Sequence, residues 1–144
     1  MRLSPTLPGP AFDNQDWTEQ MIRGIEHTAI ASADPAKLAR WYVEALGFVI
    51  NYESANAVFV KAPDGSMIEF IRAEGERAPR TQKSPGIRHL ALAVEQFDEV
   101  YKELLKKGVA FIDDPVEKNG NKVVFFCDPE GNYLHLLQRQ NPLP

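Results

Sequence analysis

Two short stretches decide the reading of this chain: Gly24-Ile25-Glu26-His27 and, 62 positions further on, Gly86-Ile87-Arg88-His89. Each opens a run of the same character. Ile25 to Ser32 alternates in the manner of a strand, and so does Ile87 to Val94. After the first run, Asp34-Pro35 supplies a helix cap followed by proline at the first helical position. Leu38, Trp41, Tyr42, Ala45 and Leu46 then recur at helical spacing, and Gly47 stands where a left-handed stop is wanted. Strands are expected at Phe48–Tyr52, Ala57–Lys61 and Ser66–Ile71, the last two joined by the turn Pro63-Asp64-Gly65. The order is β-α-β-β-β.

The second half repeats it. A helix is expected over Asp98–Lys107, with Val100, Leu104 and Leu105 inward and Gly108 as the stop. Strands follow at Ala110–Ile112, Lys122–Cys127 and Asn132–Gln138, with Asp128-Pro129-Glu130-Gly131 as the last turn. A repeated unit of this length implies two modules packed about a pseudo-two-fold axis. The expected organisation is an N-terminal arm (1–22) and a single domain (23–140). That domain holds module one (24–72), a linker (73–85) and module two (86–138). The arm carries Pro5, Pro8 and Pro10, which oppose regular structure, and Trp17, which could anchor it to a surface. The linker is polar, and its Arg77, Arg80 and Lys83, with Arg72 just before it, read as a solvated hinge rather than as an anion-binding loop.

Composition bounds the function. The chain has 144 residues, 44% hydrophobic and 25% charged, enough for a real core. A net charge of −4 gives no electrostatic reason to expect nucleic acid. No apolar run approaches the roughly 20 residues of a membrane helix, and the N-terminus lacks a signal-peptide core, so neither membrane nor export is expected. The one cysteine, Cys127, cannot form an intrachain disulfide and reads as a buried structural residue. A cytoplasmic location is the plain expectation.

The chemistry lies in the histidines. There are three, and all fall on expected strands. His27 and His89 hold equivalent places in the two opening strands. Glu69 and His135 each fall four places after a turn glycine, Gly65 and Gly131. A lone histidine on a strand is more often a hydrogen-bonded core or surface group than a ligand. Four metal-capable side chains at four symmetry-related positions read differently, because burying such a cluster is costly without a compensating cation. Alternation places Ala29 and Ala31 beside His27, and Ala91 and Ala93 beside His89, leaving room for a ligand. The opposite faces, with Ile30, Leu90, Leu92 and Val94, are expected against the helices. If both modules curl into one sheet, the four groups converge in one cleft. Three imidazoles and a carboxylate suit Zn²⁺, Ni²⁺, Co²⁺, Fe²⁺ or Mn²⁺.

These motifs, with Asp34 to Gly47 and Asp128-Pro129-Glu130-Gly131-Asn132, resemble the vicinal oxygen chelate superfamily, which includes glyoxalase I, bleomycin-resistance proteins and extradiol dioxygenases. The resemblance covers about residues 24 to 139. It implies an α+β fold of paired βαβββ modules forming a curved mixed sheet around one divalent metal ion, held at His27, Glu69, His89 and His135. It implies a metal-dependent lyase or isomerase of the glyoxalase I type, acting on a small carbonyl substrate through a metal-stabilised enolate, with Glu69 and His135 as the groups that move protons. The other implied readings are a dioxygenase or thiol transferase, and a non-catalytic small-molecule binder. Small members often pair, so a homodimer is expected, with the ligands from one chain or two from each. Two departures stand out. The last ligand position, usually glutamate in the enzymes, is His135, and Ala31 replaces an arginine that receives a glutathione carboxylate.

Overall fold

The first helix shows how directly the chain follows its local signals. In the computed structural model, which describes residues 22–79 and 81–144, helix α1 spans Pro35–Leu46. Its cap is Asp34, whose Oδ1 accepts the Lys37 N–H at 3.1 Å. Gly47 ends it at φ 78°, and the Gly47 and Phe48 N–H groups return to the Val43 and Tyr42 carbonyls. Leu38, Ala39, Tyr42 and Ala45 form its buried stripe.

Around α1 lie β1 (His27–Ser32), β2 (Val49–Glu53), β3 (Ala57–Lys61) and β4 (Met67–Arg72). They form one sheet in the order β1-β4-β3-β2, with β1 parallel to β4 and the other pairs antiparallel. Module two supplies β5 (His89–Ala93), α2 (Phe97–Lys106), β6 (Ala110–Phe111), β7 (Val116–Lys118), β8 (Asn121–Cys127) and β9 (Tyr133–Gln138). Its sheet runs β5-β9-β8-β6, with β7 also on β8 and β5 parallel to β9. The fold class is therefore the expected one, α+β with two βαβββ modules in mixed sheets.

The differences have local causes. The modules form two sheets rather than one, because β1 and β5 each bond only to their own module's last strand. Residues 25 and 26 lie outside β1, as 87 and 88 lie outside β5. The module-two counterpart of β2 is split into β6 and β7, the second of which was not expected. Pro115 stands between them, and a proline has no N–H to give a ladder. Leu105 is not inward but 48% exposed, and Cys127 is half-buried rather than buried. Burial and the neighbouring Asp128 raise the Cys127 thiol above its ordinary value, which keeps it an inert thiol. The expected arm with Trp17, and Arg80 of the linker, lie outside the described residues. No helix among the described residues is long and apolar enough to cross a membrane.

One core joins the modules. Tyr42, Phe70, Val60 and Leu38 from the first pack with Phe97, Phe126, Val124, Leu134 and Leu136 from the second. Ile30, Leu90, Leu92 and Val94 back onto it, as the strand alternation requires. A polar latch crosses the same boundary. The buried Asp128 carboxylate accepts from Tyr42 Oη at 2.8 Å and from Asn132 Nδ2 at 2.7 Å, and its Oδ1 takes the Glu130 and Asn132 N–H groups. Glu130 in turn accepts from Ser32 Oγ and, at 2.9 Å, from the Ala33 N–H. Lys107 Nζ reaches the Glu44 and Ala45 carbonyls at 3.1 and 3.4 Å. The linker is tied as well, Arg77 donating to Asn132 Oδ1 at 2.7 Å.

Burial and Asp128 together raise the Tyr42 phenol far above its usual range, so it remains a donor at all working pH values. Tyr42→Phe removes one of four donors from a buried carboxylate. The expected cost is about 2 kcal/mol, since hydrogen bonds to charged groups carry roughly 1.5–3 kcal/mol. Urea unfolding of the variant beside the wild type measures it, and an unchanged midpoint refutes the latch.

Candidate metal centre

Parallel pairing puts the candidate ligands together in twos. On the first sheet, His27 pairs with Met67 and Ala29 with Glu69. The alanine opposite Glu69 offers no bulk, so His27 leans diagonally across it. His27 Nε2 lies 3.3 Å from Glu69 Oε2. On the second sheet the register repeats, His89 with Tyr133 and Ala91 with His135. The His89 and His135 rings lie with centroids 4.5 Å apart. Both pairs therefore sit on the alanine-lined faces that the sequence assigned to them.

The four do not meet in one chain. Among the described residues, no group of three or more His, Cys, Asp or Glu side chains is arranged to hold a metal ion. The expectation of one cleft assumed one continuous sheet. The two sheets are instead separate, so each keeps its own pair. The result is two half-sites, a carboxylate with an imidazole and an imidazole with an imidazole.

Each half-site has an aromatic wall that sequence reasoning missed. Phe59 is the cross-strand partner of Glu69, and Phe125 is that of His135. The His27 ring meets Phe59 edge-on at 5.4 Å, and His89 meets Phe125 at 5.3 Å. Phe125 also lies 4.7 Å from His135. The signal was in the chain: Phe59 and Phe125 are 66 positions apart, the same offset as Glu69 and His135. Glu26 is the other omission. Its Oε2 contacts His27 Nδ1, the ring nitrogen turned away from Glu69.

The electrostatics of the half-sites differ. His27 is held above the ordinary imidazole value, first by the Glu26 hydrogen bond, with the charges of Glu26 and Glu69 adding to it. His135 is pushed down to about 4, first by burial and then by His89 and Arg139. Neither His135 Nδ1 nor Nε2 touches solvent or has a hydrogen-bond partner. An imidazole buried without partners is destabilising, and a coordinated cation relieves that cost. Three imidazoles, one of them with orphaned ring nitrogens, and a carboxylate fit a divalent first-row cation, with His27, Glu69, His89 and His135 as the residues that would hold it.

The depressed His135 has a consequence for the metal-free protein. The unfolded chain protonates this group near 6.5, the folded chain only near 4. Between these values the unfolded state binds more protons, so stability is full above about pH 6.5 and falls as pH drops towards 4. His135→Gln should flatten that dependence. Urea midpoints of chelator-treated wild type and variant at pH 7, 5.5 and 4 test it, and parallel pH profiles count against it.

Comparison with known proteins identifies the family of the fold that carries these pairs. The family profile described as the Glyoxalase/Bleomycin resistance protein/Dioxygenase superfamily matches residues 24–136. The chain is 24% identical over 135 residues to Virulence protein STM3117 of Salmonella typhimurium, covering 88% of this chain and 92% of that protein. It is 26% identical over 129 residues to Uncharacterized protein YwkD of Bacillus subtilis, covering 83% and 99%. Among solved structures, a glyoxalase family protein from Enterococcus faecalis aligns with a TM-score of 0.70 at 28% identity, over 82% of this chain and 99% of that one. The structure of Oxidase ChaP-H2 aligns with a TM-score of 0.67 at 22% identity, over 83% and 95%. With its paired modules and its matched span from the first glycine motif to the last strand, the chain belongs to the Glyoxalase/Bleomycin resistance protein/Dioxygenase superfamily.

Proposed function

We propose that this protein is a divalent-metal-dependent lyase or isomerase of the glyoxalase I type, acting on a small carbonyl-containing substrate. The observation that carries the reading is the pair of half-sites, above all the unpartnered ring nitrogens of His135 beside His89. Neither half-site is a complete metal site. The His27–Glu69 pair lacks further donors, and the His89–His135 pair lacks a carboxylate. A second copy of the chain supplies what each lacks, if module one of one copy faces module two of the other.

The surface suits such a homodimer. His27, Ala29, Ala31, His89, Ala91 and Ala93 are exposed in the single chain. Ile25 and Ile87, beside the two histidines in sequence, are 87% and 79% exposed. Apolar side chains next to incomplete polar pairs favour a partner of the same kind.

A divalent cation held by His27, Glu69, His89 and His135 would supply Lewis-acid stabilisation of negative charge on substrate oxygen. The chain's own residues do the rest. Glu69 is the one carboxylate of the set, so it takes the proton from the carbon beside the carbonyl and returns it to the neighbouring position. His135, neutral at working pH, is the second group able to carry that proton. Phe59 and Phe125 give the half-sites an apolar wall. Ala31 leaves module one without a cation there for a glutathione carboxylate, which favours a substrate other than a glutathione adduct.

A second reading is oxidative. Imidazoles with one carboxylate also suit Fe²⁺, and one protein of similar fold, Oxidase ChaP-H2, is named for an oxidation. The identity of the metal separates the two readings.

Protein purified without chelator is expected to carry stoichiometric divalent metal, lost in His27→Ala or His89→Ala. Metal-free wild type that binds small molecules unchanged after those substitutions leaves a non-catalytic binder instead. Subunit mixing tests the shared site. A His27→Ala, Glu69→Ala chain and a His89→Ala, His135→Ala chain each bind none alone. Refolded together, they form a mixed dimer with one intact site and recover one metal ion per dimer. No recovery places all four ligands on one chain or ends the metal reading.

A further inference from the structure

We propose that Glu26 is a positioning residue of the metal centre, its carboxylate holding the proton of His27 on Nδ1 so that Nε2 presents its lone pair to the cation. The inference rests on the reading of His27 as a ligand.

The geometry begins with where β1 starts. Strict alternation from Ile25 would put Glu26 on the face opposite His27. The ladder begins only at His27, so Glu26 lies in the unpaired segment before it and its side chain is free of the pleat. The carboxylate turns to the ring, and Glu26 Oε2 meets His27 Nδ1. A carboxylate at one ring nitrogen accepts the N–H there, which leaves the other nitrogen as the free donor. That other nitrogen, Nε2, is the one 3.3 Å from Glu69 Oε2. Carboxylate, imidazole and ligand carboxylate therefore lie in one line of contact. Outer groups of this kind fix the tautomer and ring angle of a metal-ligating histidine and raise its strength as a donor.

Module two shows that the arrangement is not a by-product of the repeat. The residue equivalent to Glu26 is Arg88, which cannot accept a proton. Its guanidinium is turned back onto the chain, donating to the Gly86 carbonyl at 3.1 Å and the Thr81 carbonyl at 3.4 Å. His89 contacts His135 and Phe125 instead of a carboxylate. Only one of the two equivalent histidines is braced, and it is the one paired with the sole carboxylate of the set. Glu26 thus gives His27 a fixed donor atom that His89 must obtain from packing.

Two measurements on the full chain test this: the ring tautomer by long-range ¹H–¹⁵N correlation in metal-free protein, and Zn²⁺ affinity by competition with a chromophoric chelator. The wild type is expected to show His27 protonated at Nδ1. Glu26→Ala should give mixed tautomers and bind Zn²⁺ about 10–100-fold more weakly, the usual range for losing such a partner. Glu26→Gln keeps an acceptor without the charge, so it should hold the tautomer with an intermediate affinity. Glu117→Ala, which removes an exposed carboxylate from β7, should change neither. If Glu26→Ala binds Zn²⁺ within twofold of wild type, or if wild-type His27 carries its proton on Nε2, the role of Glu26 is overturned while the metal reading stands. A wild type that takes up no Zn²⁺, Ni²⁺, Co²⁺, Fe²⁺ or Mn²⁺ overturns both.

Discussion

The register of two parallel strand pairs governs everything the site can do. In β1 with β4, and in β5 with β9, an alanine faces the third residue of the last strand. A larger residue at Ala29 or Ala91 would fill the space over which the histidine leans. A slip of one residue would send Glu69 and His135 into the core, among Val60, Phe70 and Leu134. The hydrophobic back faces forbid that slip, because Ile68, Phe70, Leu134 and Leu136 are needed inside. Packing on one side of each sheet thus fixes the chemistry on the other. The turns act in the same sense: Gly65 and Gly131 adopt positive φ, four residues before Glu69 and His135 respectively.

Much of this was legible because it is local or repeated. Asp34, Pro35 and Gly47 mark α1 through backbone rules that need no tertiary context. The two glycine-led motifs mark the modules, and the four candidate ligand positions follow from the repeat. What the sequence hid is non-local or breaks the pattern. Phe59 and Phe125 become part of the site only through cross-strand pairing, which alternation along one strand does not reveal. The strand β7 was hidden by Pro115, which divides what the first module keeps whole. The two-sheet arrangement depends on how the edges of β1 and β5 meet, and no residue in either strand announces it. Glu26 escapes the alternation rule because strand ends set the face of a side chain, and ends are the least determined part of a strand.

The two modules are equal in fold and unequal in chemistry. Module one keeps a carboxylate and an exposed, braced histidine. Module two keeps two histidines, one of them half-buried, with both ring nitrogens out of solvent and without hydrogen-bond partners. A duplicated unit gives the scaffold two chances to place a pair of polar side chains, and here each pair has taken a different character. The pair poor in hydrogen bonds has Phe125 against both of its rings. The pair rich in charge has a carboxylate on either side of its imidazole. The asymmetry follows from substitutions at single positions in a common frame, Glu69 against His135 and Glu26 against Arg88.

The latch around α1 reaches further than joining two modules. Module two presents an anion, Glu130, to the backbone just before the start of α1, and a cation, Lys107, to the carbonyls at its end. These are the charges that a helix dipole attracts at each pole. The first helix of one module is therefore gripped at both poles by the other, like an axle seated in two bearings. Sliding along the axle or tilting off it separates opposite charges at one end at least. The two half-sites accordingly belong to one packed body, joined through both ends of α1 as well as through the shared core.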